Sequence, residues 1–599
     1  MTAEKKDAIS AGVSPAKAWL RALELTATIA RNRHRILHTA IEEIAARQAN
    51  APALLSDREN LTYNALAQRA NQYARWALDH GLAKGDVVCL LMTNRPEYFA
   101  CWLGITSVGV VVSLLNTNLV GPSLAHCIRI VSPKQIIVSA EFIDTLNAAL
   151  PLLESSPSIW FHGHEDASFP RIDTDIAHYS GDTLLPDERR ATSIDDLALY
   201  IYTSGTTGLP KAAKVSHGRT MQWSHWFAGM MDVQPTDRMY NCLPMYHSVG
   251  GVQVPGAMLV SGGSIVVRER FSASQFWSEI VRWDCTLLQY IGELCRYLLH
   301  TDKSPSESEH RIRLACGNGL AAEVWDKFKD RFHIPQILEF YAATESSVSL
   351  FNIQGKRGAI GHIPGYLTHR FAPALVLTDH ETGEPTRNEQ GFCIRCASNQ
   401  IGEALGKIAN DPTNPGGRFD GYTSSEASRK KVLSNVFENG DAWFRTGDLM
   451  RKDEKGYYFF VDRIGDTFRR KGENVATSEI AEVICGFPGI QHALVYGVAV
   501  PGVEGRVGMA TLATDHHLDL AEFHAHLRGC LPTYAKPLFL RISNQIDLTG
   551  TFKYTKTELQ REGYDPNACA DKLYFDTSEE FVPLDHHLHQ RIQDGEFRL

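Results

Sequence analysis

What most restricts this chain is an alternation, along most of its length, of short apolar runs with longer helical patterns. Val87-Val88-Cys89-Leu90-Leu91 is followed by a helical pattern near Glu97 to Val108, and Gln135-Ile136-Ile137-Val138 precedes another near Glu141 to Leu150. Ser264-Ile265-Val266-Val267 leads into a long periodic stretch from Ser272 to Leu299. A short run that is apolar throughout suits a strand covered on both faces, and an intervening helix returns the chain to a parallel neighbour. The pattern therefore predicts α/β layers with largely parallel sheets. With 599 residues, several lobes are expected.

The texture changes around residues 410–445 to Asp-Pro, Asn-Pro-Gly-Gly and Gly-Tyr turns, which read as surface loop. After Tyr457-Tyr458-Phe459-Phe460-Val461, the stretch Asp462-Arg463-Ile464-Gly465-Asp466 reads as a turn between two ordered regions. We place a domain boundary there. The expected organisation is an N-terminal extension (1–32), a large N-terminal domain (33–462) and a small α+β C-terminal domain (463–599).

Composition excludes several classes. At 44% hydrophobic and 22% charged residues the chain can bury a large core, and a net charge of −9 offers no basic face for nucleic acid. The strongest apolar run, Val108 to Leu115, is far short of a membrane span. No secretory signal is visible, and twelve scattered cysteines, with Cys393 and Cys396 as the one close pair, fit a reduced cytosolic compartment. Trp19-Leu20-Arg21-Ala22-Leu23 reads as a short amphipathic helix, either packed on the surface or touching the cytoplasmic face of a membrane.

The most informative stretch is Tyr202-Thr203-Ser204-Gly205-Thr206-Thr207-Gly208-Leu209-Pro210-Lys211. Gly205 and Gly208 let backbone amides approach an anion, Thr203, Ser204, Thr206 and Thr207 supply hydroxyls, and Lys211 supplies a compact positive charge. This is a phosphate cradle by composition. It is not the P-loop of kinases and GTPases, because Pro210 precedes the lysine and Ala212 follows it.

The same string resembles the signature of the adenylate-forming superfamily of acyl-CoA synthetases, luciferases and peptide-synthetase adenylation domains. The resemblance implies a layered α/β N-terminal domain with a β-barrel-like part and a mobile C-terminal domain. It also implies that the loop holds the β- and γ-phosphates of ATP, with Thr206 near the metal. Further stretches follow in the superfamily's order. Phe340-Tyr341-Ala342-Ala343-Thr344-Glu345 is similar to its aromatic-x-x-Thr-Glu motif. There Tyr341 and Ala342 would meet adenine, Thr344 the α-phosphate, and Glu345 a Mg²⁺ ion, a hard cation that takes oxygen ligands. Gly317-Asn318-Gly319 resembles the glycine-rich turn that lines adenine. Arg445-Thr446-Gly447-Asp448 resembles the Thr-Gly-Asp motif, with Asp448 on the ribose hydroxyls and Arg463 at the ribose or α-phosphate. Pro244-Met245-Tyr246-His247-Ser248 is similar to the segment that sets a histidine, here His247, at the mouth of the acyl pocket. Val249-Gly250-Gly251 stands where some long-chain synthetases carry a tryptophan gate.

Thr549-Gly550-Thr551-Phe552-Lys553-Tyr554-Thr555-Lys556-Thr557-Glu558-Leu559 resembles the region of the catalytic lysine. Spacing to Leu559 assigns Lys553, with Lys556 as the second choice. Asp462 to Val475, Gln289 to Leu298, Tyr496 to Arg506 and Phe581 to Leu584 resemble the fatty acid transport protein and very-long-chain acyl-CoA synthetase branch; Met1 to Asn32 lacks a counterpart there. The implied activity is ligation of a long-chain or very-long-chain fatty acid to coenzyme A, with ATP and Mg²⁺. Rival readings are a CoA ligase for a short-chain or carnitine-type acid, and a fatty acid uptake or binding factor with secondary ligase activity. A homodimer stays open. Trp277, Ile280, Leu287, Leu288, Ile291, Leu294 and Leu298 form an apolar stripe, expected as core or as the wall of an alkyl tunnel.

Overall fold

The computed structural model describes residues 14–163, 169–203, 210–346, 348–371, 373–379, 382–409, 418–464, 466–470, 473–501, 503, 506–514, 518–543 and 556–597. The chain divides into two compact units. The first comprises Met1–Ala372, Gly406–Ser434 and Ala442–Phe444, and the second Pro373–Leu405, Asn435–Asp441 and Arg445–Leu599.

The first unit is built on two sheets. One, of eight strands, runs in the order Ser349–Asn352, Ile337–Ala342, Leu314–Asn318, Leu287–Ile291, Arg238–Asn241, Ser264–Val267, Pro52–Leu55 and Asn60–Thr62. Only its two outermost pairings are antiparallel. The other, of six strands, runs Ser158–His162, Gln135–Ser139, Val87–Leu91, Val111–Leu114, Leu197–Thr203 and Lys211–Ser216, parallel except for the last pair. The parallel arrangement expected from the alternation is present, and Val87–Leu91 is buried at every position, as a doubly covered strand must be.

Helix His217–Met231 is buried along its whole length. Helix Pro15–Ala27 crosses it so closely that a Cβ on Gly229 would stand 2.5 Å from the backbone of Ala22. Ala18, Trp19 and Ala22 are buried, so the apolar side of this helix is used within the unit. Trp19 lies among Trp226, Phe351 and Phe371, at ring separations of 5.6, 6.3 and 5.9 Å. Among the described residues, no helix is long and apolar enough to cross a membrane.

Two sequence expectations change. Ser272 to Leu299 is not one helix but helix Phe276–Arg282, strand Leu287–Ile291 and helix Gly292–Leu299. Asp284, at φ 51°, turns the chain, and a fully buried strand cannot be told from a buried helix by apolarity alone. The stripe is core: Trp277, Ile280, Leu288, Leu294 and Leu298 pack with Trp325, Phe328 and Phe332. The segment read as surface loop also carries helix Ser425–Lys430, strand Val432–Ser434 and Tyr422, which is 3% exposed.

In the second unit, residues 374–376 pair antiparallel with residues 403–405, and residues 448–452 with residues 458–463. Among the described residues these strands belong to an open sheet, the form taken here by the part expected to be barrel-like. A separate five-stranded sheet follows the order Ile490–Val498, Val507–Thr514, Phe539–Ser543, Lys572–Asp576 and Phe581–Pro583. Helices Thr477–Cys485 and Leu520–Cys530 contribute Ile480, Ile484, Phe523 and Leu527 to one of its apolar clusters.

Candidate active site

The expected phosphate loop joins two adjacent strands. Thr203 ends strand Leu197–Thr203, Lys211 begins strand Lys211–Ser216, and the two residues are directly opposed in register. This strand–loop–strand closure differs from the strand–loop–helix of a P-loop. Ser204, Gly205, Thr206, Thr207 and Gly208 lie outside the described residues. Tyr202 fixes the base of the loop: its hydroxyl donates to the Cys127 carbonyl at 2.6 Å and is 2.8 Å from Ser113 Oγ.

The turn Gly317-Asn318-Gly319 leaves the C-terminal end of strand Leu314–Asn318, and Tyr341, Ala342, Thr344 and Glu345 follow at the same end of the neighbouring parallel strand Ile337–Ala342. Carboxyl ends of adjacent parallel strands are where open α/β sheets bind ligands. Gly317 is required sterically, because a Cβ there would sit 2.2 Å from the Tyr290 carbonyl oxygen; Gly319 adopts φ 79°. Beneath the turn lies Glu339, 1% exposed. Its Oε1 accepts the Leu320 N–H at 3.1 Å and its Oε2 accepts the Tyr290 hydroxyl at 2.5 Å. Burial pushes the Glu339 carboxyl up to about 8, against the opposing pull of the hydrogen bonds from Tyr290, Leu320 and Gly319.

Sequence reasoning missed Tyr422. Its hydroxyl donates to Glu345 Oε1 at 2.5 Å. Its ring centroid lies 5.9 Å from the Lys211 ammonium, within reach of a cation–π attraction. Burial raises the phenol, and the Glu345 charge adds to the effect. The segment around it is fastened to the lysine's own strand: Lys214 N donates to Gly421 O at 2.9 Å and Thr423 N to Ala212 O at 3.1 Å.

A second missed residue, Arg219, is 1% exposed on the buried helix. Its guanidinium donates to Ser346 O at 2.9 Å, to Arg418 O, and to Asp420 Oδ2 at 3.4 Å. It thus joins the Thr344–Ser346 turn to the segment that carries Tyr422. The one sequence signal was an arginine in a helix otherwise rich in apolar residues; Tyr422 gave none beyond its Gly-Tyr turn.

His247 lies in the segment between strand Arg238–Asn241 and the wide π-helical turn Val249–Gln253, its ring 4.4 Å from that of Tyr246. The following Ser248 hydroxyl is 3.0 Å from Thr344 Oγ1. At Gly250 and Gly251 an added Cβ would stand 2.5 Å from Pro244 O and 1.8 Å from Met245 O. A bulky gating ring has no room at either position.

Within the second unit, Asp448 and Arg463 are register partners on antiparallel strands, with Arg463 Nε 3.4 Å from Asp448 Oδ1. Gly447 adopts φ 77° within strand Ala442–Lys452, and buried Glu403 accepts both its N–H and a bidentate contact from Arg445. Asp462 is buried and accepts the Thr477 N–H at 2.6 Å; burial raises its carboxyl above the usual range. Lys553 lies outside the described residues. The second choice, Lys556, is engaged by Thr477 at 3.0 Å and Asp466 at 3.3 Å.

The residues present fit ATP and magnesium. Asn318 Oδ1 is buried and has no hydrogen-bond partner among the described residues, so the turn offers an acceptor to an amino group. Glu345 offers one carboxylate oxygen beyond the one Tyr422 holds, and so small a set suits Mg²⁺ because that ion keeps waters and arrives with phosphates rather than entering an all-protein cage.

A family model for AMP-binding enzymes matches residues 41–397. Long-chain fatty acid transport protein 1 of Mus musculus is 40% identical over 570 residues, spanning 93% of this chain and 87% of that protein. The very long-chain fatty acid transport protein of Cochliobolus heterostrophus is 35% identical over 585 residues, spanning 94% and 88%. Among solved structures, the anthranilate CoA ligase AuaEII in complex with anthranoyl-AMP aligns with a TM-score of 0.74 at 20% identity, covering 88% of this chain and 97% of that one. The Mycobacterium tuberculosis fatty acyl CoA synthetase aligns with a TM-score of 0.62 at 22% identity, covering 88% and 98%. At these identities the solved structures establish a shared fold.

Proposed function

The chain belongs to the AMP-binding enzyme family, and from that premise we propose that it ligates long-chain or very-long-chain fatty acids to coenzyme A. A carboxylate oxygen of the fatty acid forms a bond to the α-phosphorus of ATP, the bond to the β-phosphate oxygen breaks, and pyrophosphate leaves. The thiol of coenzyme A then attacks the acyl carbonyl of the adenylate and AMP departs.

Both partners in the first step are anions, so its barrier is largely electrostatic. In this reading Lys211 and Lys553 place positive charge where negative charge gathers. Thr203, Ser204, Gly205, Thr206, Thr207 and Gly208 grip the outer phosphates, Thr344 the α-phosphate, Tyr341, Ala342 and the Gly317-Asn318-Gly319 turn the adenine, and Asp448 and Arg463 the ribose. His247 orients the carboxylate. Magnesium held by Glu345, with Thr206 nearby, would supply further charge neutralisation on the phosphates.

The observation that carries the reading is the meeting of Lys211, opposite Thr203 in register, and Glu345 on the one side chain of Tyr422, since adenylation needs a phosphate cradle and a metal carboxylate together. The fatty acid preference is supported by the relatives' names.

Pyrophosphate release, measured with acids from short to very long chain, with and without coenzyme A, tests the proposal. Release should peak with long chains and AMP-coupled thioester should follow. Lys553→Ala should abolish adenylate formation while preformed acyl-adenylate is still converted to thioester. No pyrophosphate with any acid would end the reading, and a peak at short acids would transfer it to the rival ligase.

A further inference from the structure

We propose that Tyr422 is a positioning residue for the Glu345 carboxylate, holding one of its oxygens so that the other is presented to the magnesium of MgATP. The proposal rests on the reading of Glu345 as a metal ligand and adds to it a residue outside every motif recognised in the sequence.

Glu345 stands on a turn after strand Ile337–Ala342 and is only half-buried, so nothing in its own backbone fixes the rotation of its carboxylate. A glutamate that must be ordered at the moment of binding loses side-chain entropy that a pre-ordered one does not. The Tyr422 hydroxyl supplies the order. It donates to Oε1 at 2.5 Å, a short charge-assisted bond, and leaves Oε2 as the remaining ligand atom.

The tyrosine is itself held from three directions. Its segment pairs with strand Lys211–Ser216 through Lys214 N to Gly421 O and Thr423 N to Ala212 O. Its own N–H donates to Ser428 Oγ at 2.9 Å. Arg219 binds carbonyl oxygens of Ser346 and Arg418, and the Asp420 carboxylate also accepts the Ser216 hydroxyl at 3.1 Å. Its phenol therefore has a defined position relative to the Glu345 turn. The same ring lies beneath the Lys211 ammonium. One side chain thereby sets the spacing of lysine and carboxylate on which a bound MgATP depends. Outer partners of metal ligands of this kind change metal affinity by roughly 10–100-fold when removed.

Tyr422→Phe keeps the ring and removes the hydroxyl. Manganese binding, followed by electron paramagnetic resonance in the presence of ATP, should weaken by about 10-fold. ATP binding in EDTA, followed by calorimetry, should be unchanged. The magnesium concentration for half-maximal pyrophosphate release should rise by a similar factor, with the rate at saturating magnesium within about twofold. In a Glu345→Gln background the Tyr422→Phe change should have no further effect on manganese, because its route to the metal is gone.

Unchanged manganese affinity in Tyr422→Phe, or an equal weakening of metal-free ATP, would overturn the proposal. If Glu345→Gln itself leaves manganese binding intact, the reading of Glu345 falls instead, and the two failures are thereby distinct. Should Tyr422→Phe fail to fold, site-specific difluorotyrosine at 422 keeps the packing and sharpens the donor. A shift in manganese affinity then supports the proposal, and none overturns it.

Discussion

Gly317 shows how tightly a single position can be specified at the candidate site. A methyl group there would press on the Tyr290 carbonyl at 2.2 Å and on its ring at 2.5 Å. Gly317→Ala should therefore displace the turn carrying Asn318 and weaken ATP binding by about 10-fold, in line with an overpacking cost of about 1–3 kcal/mol. Calorimetric titration with ATP checks this, and unchanged affinity would separate the turn from the nucleotide. At this scale, legibility depended on contiguity. Thr203, Lys211, Thr344, Glu345 and Asp448 announce themselves in short unusual strings. Tyr422 and Arg219 act 77 and 127 residues away from the Glu345 turn they touch, and no local pattern marks such a distant partner.

Elements were legible where one periodicity ruled. Strand Val87–Leu91 and helix Pro96–Ser107 emerge as the alternation predicts. Ser272 to Leu299 failed because a buried strand between two buried helices keeps an apolar rhythm that a longer helix would also show. The helix Pro15–Ala27 was visible as an amphipathic pattern, but its partner was not: burial of Trp19 depends on Trp226, Phe351 and Phe371, all remote in sequence. Trp19→Ala should cost about 3–5 kcal/mol of stability, as large aromatic truncations in cores do. Urea denaturation measures it. A loss below about 1 kcal/mol would mean that the helix is only loosely attached to helix His217–Met231.

For the molecule as a whole, the layered α/β class followed from the alternation, and the two compact units exchange chain segments between residues 373 and 445. Glu339 gives the folded protein a pH dependence of its own. Its carboxyl is raised from 4.5 to about 8, so the folded state retains a proton that the unfolded chain releases. The stability this confers is complete below about pH 4.5 and is lost as pH climbs through about 8. Glu339→Gln should flatten the decline of the denaturation midpoint between those values; an identical slope in both proteins would remove Glu339 as its source. The glycine pair at 250 and 251 bears on how this protein can change over time. Because main-chain oxygens already fill the space beyond both α-carbons, neither site can accept even a methyl group without rebuilding the bend around it. A lineage, or an engineer, seeking a different preferred acid by single replacements must begin from other positions.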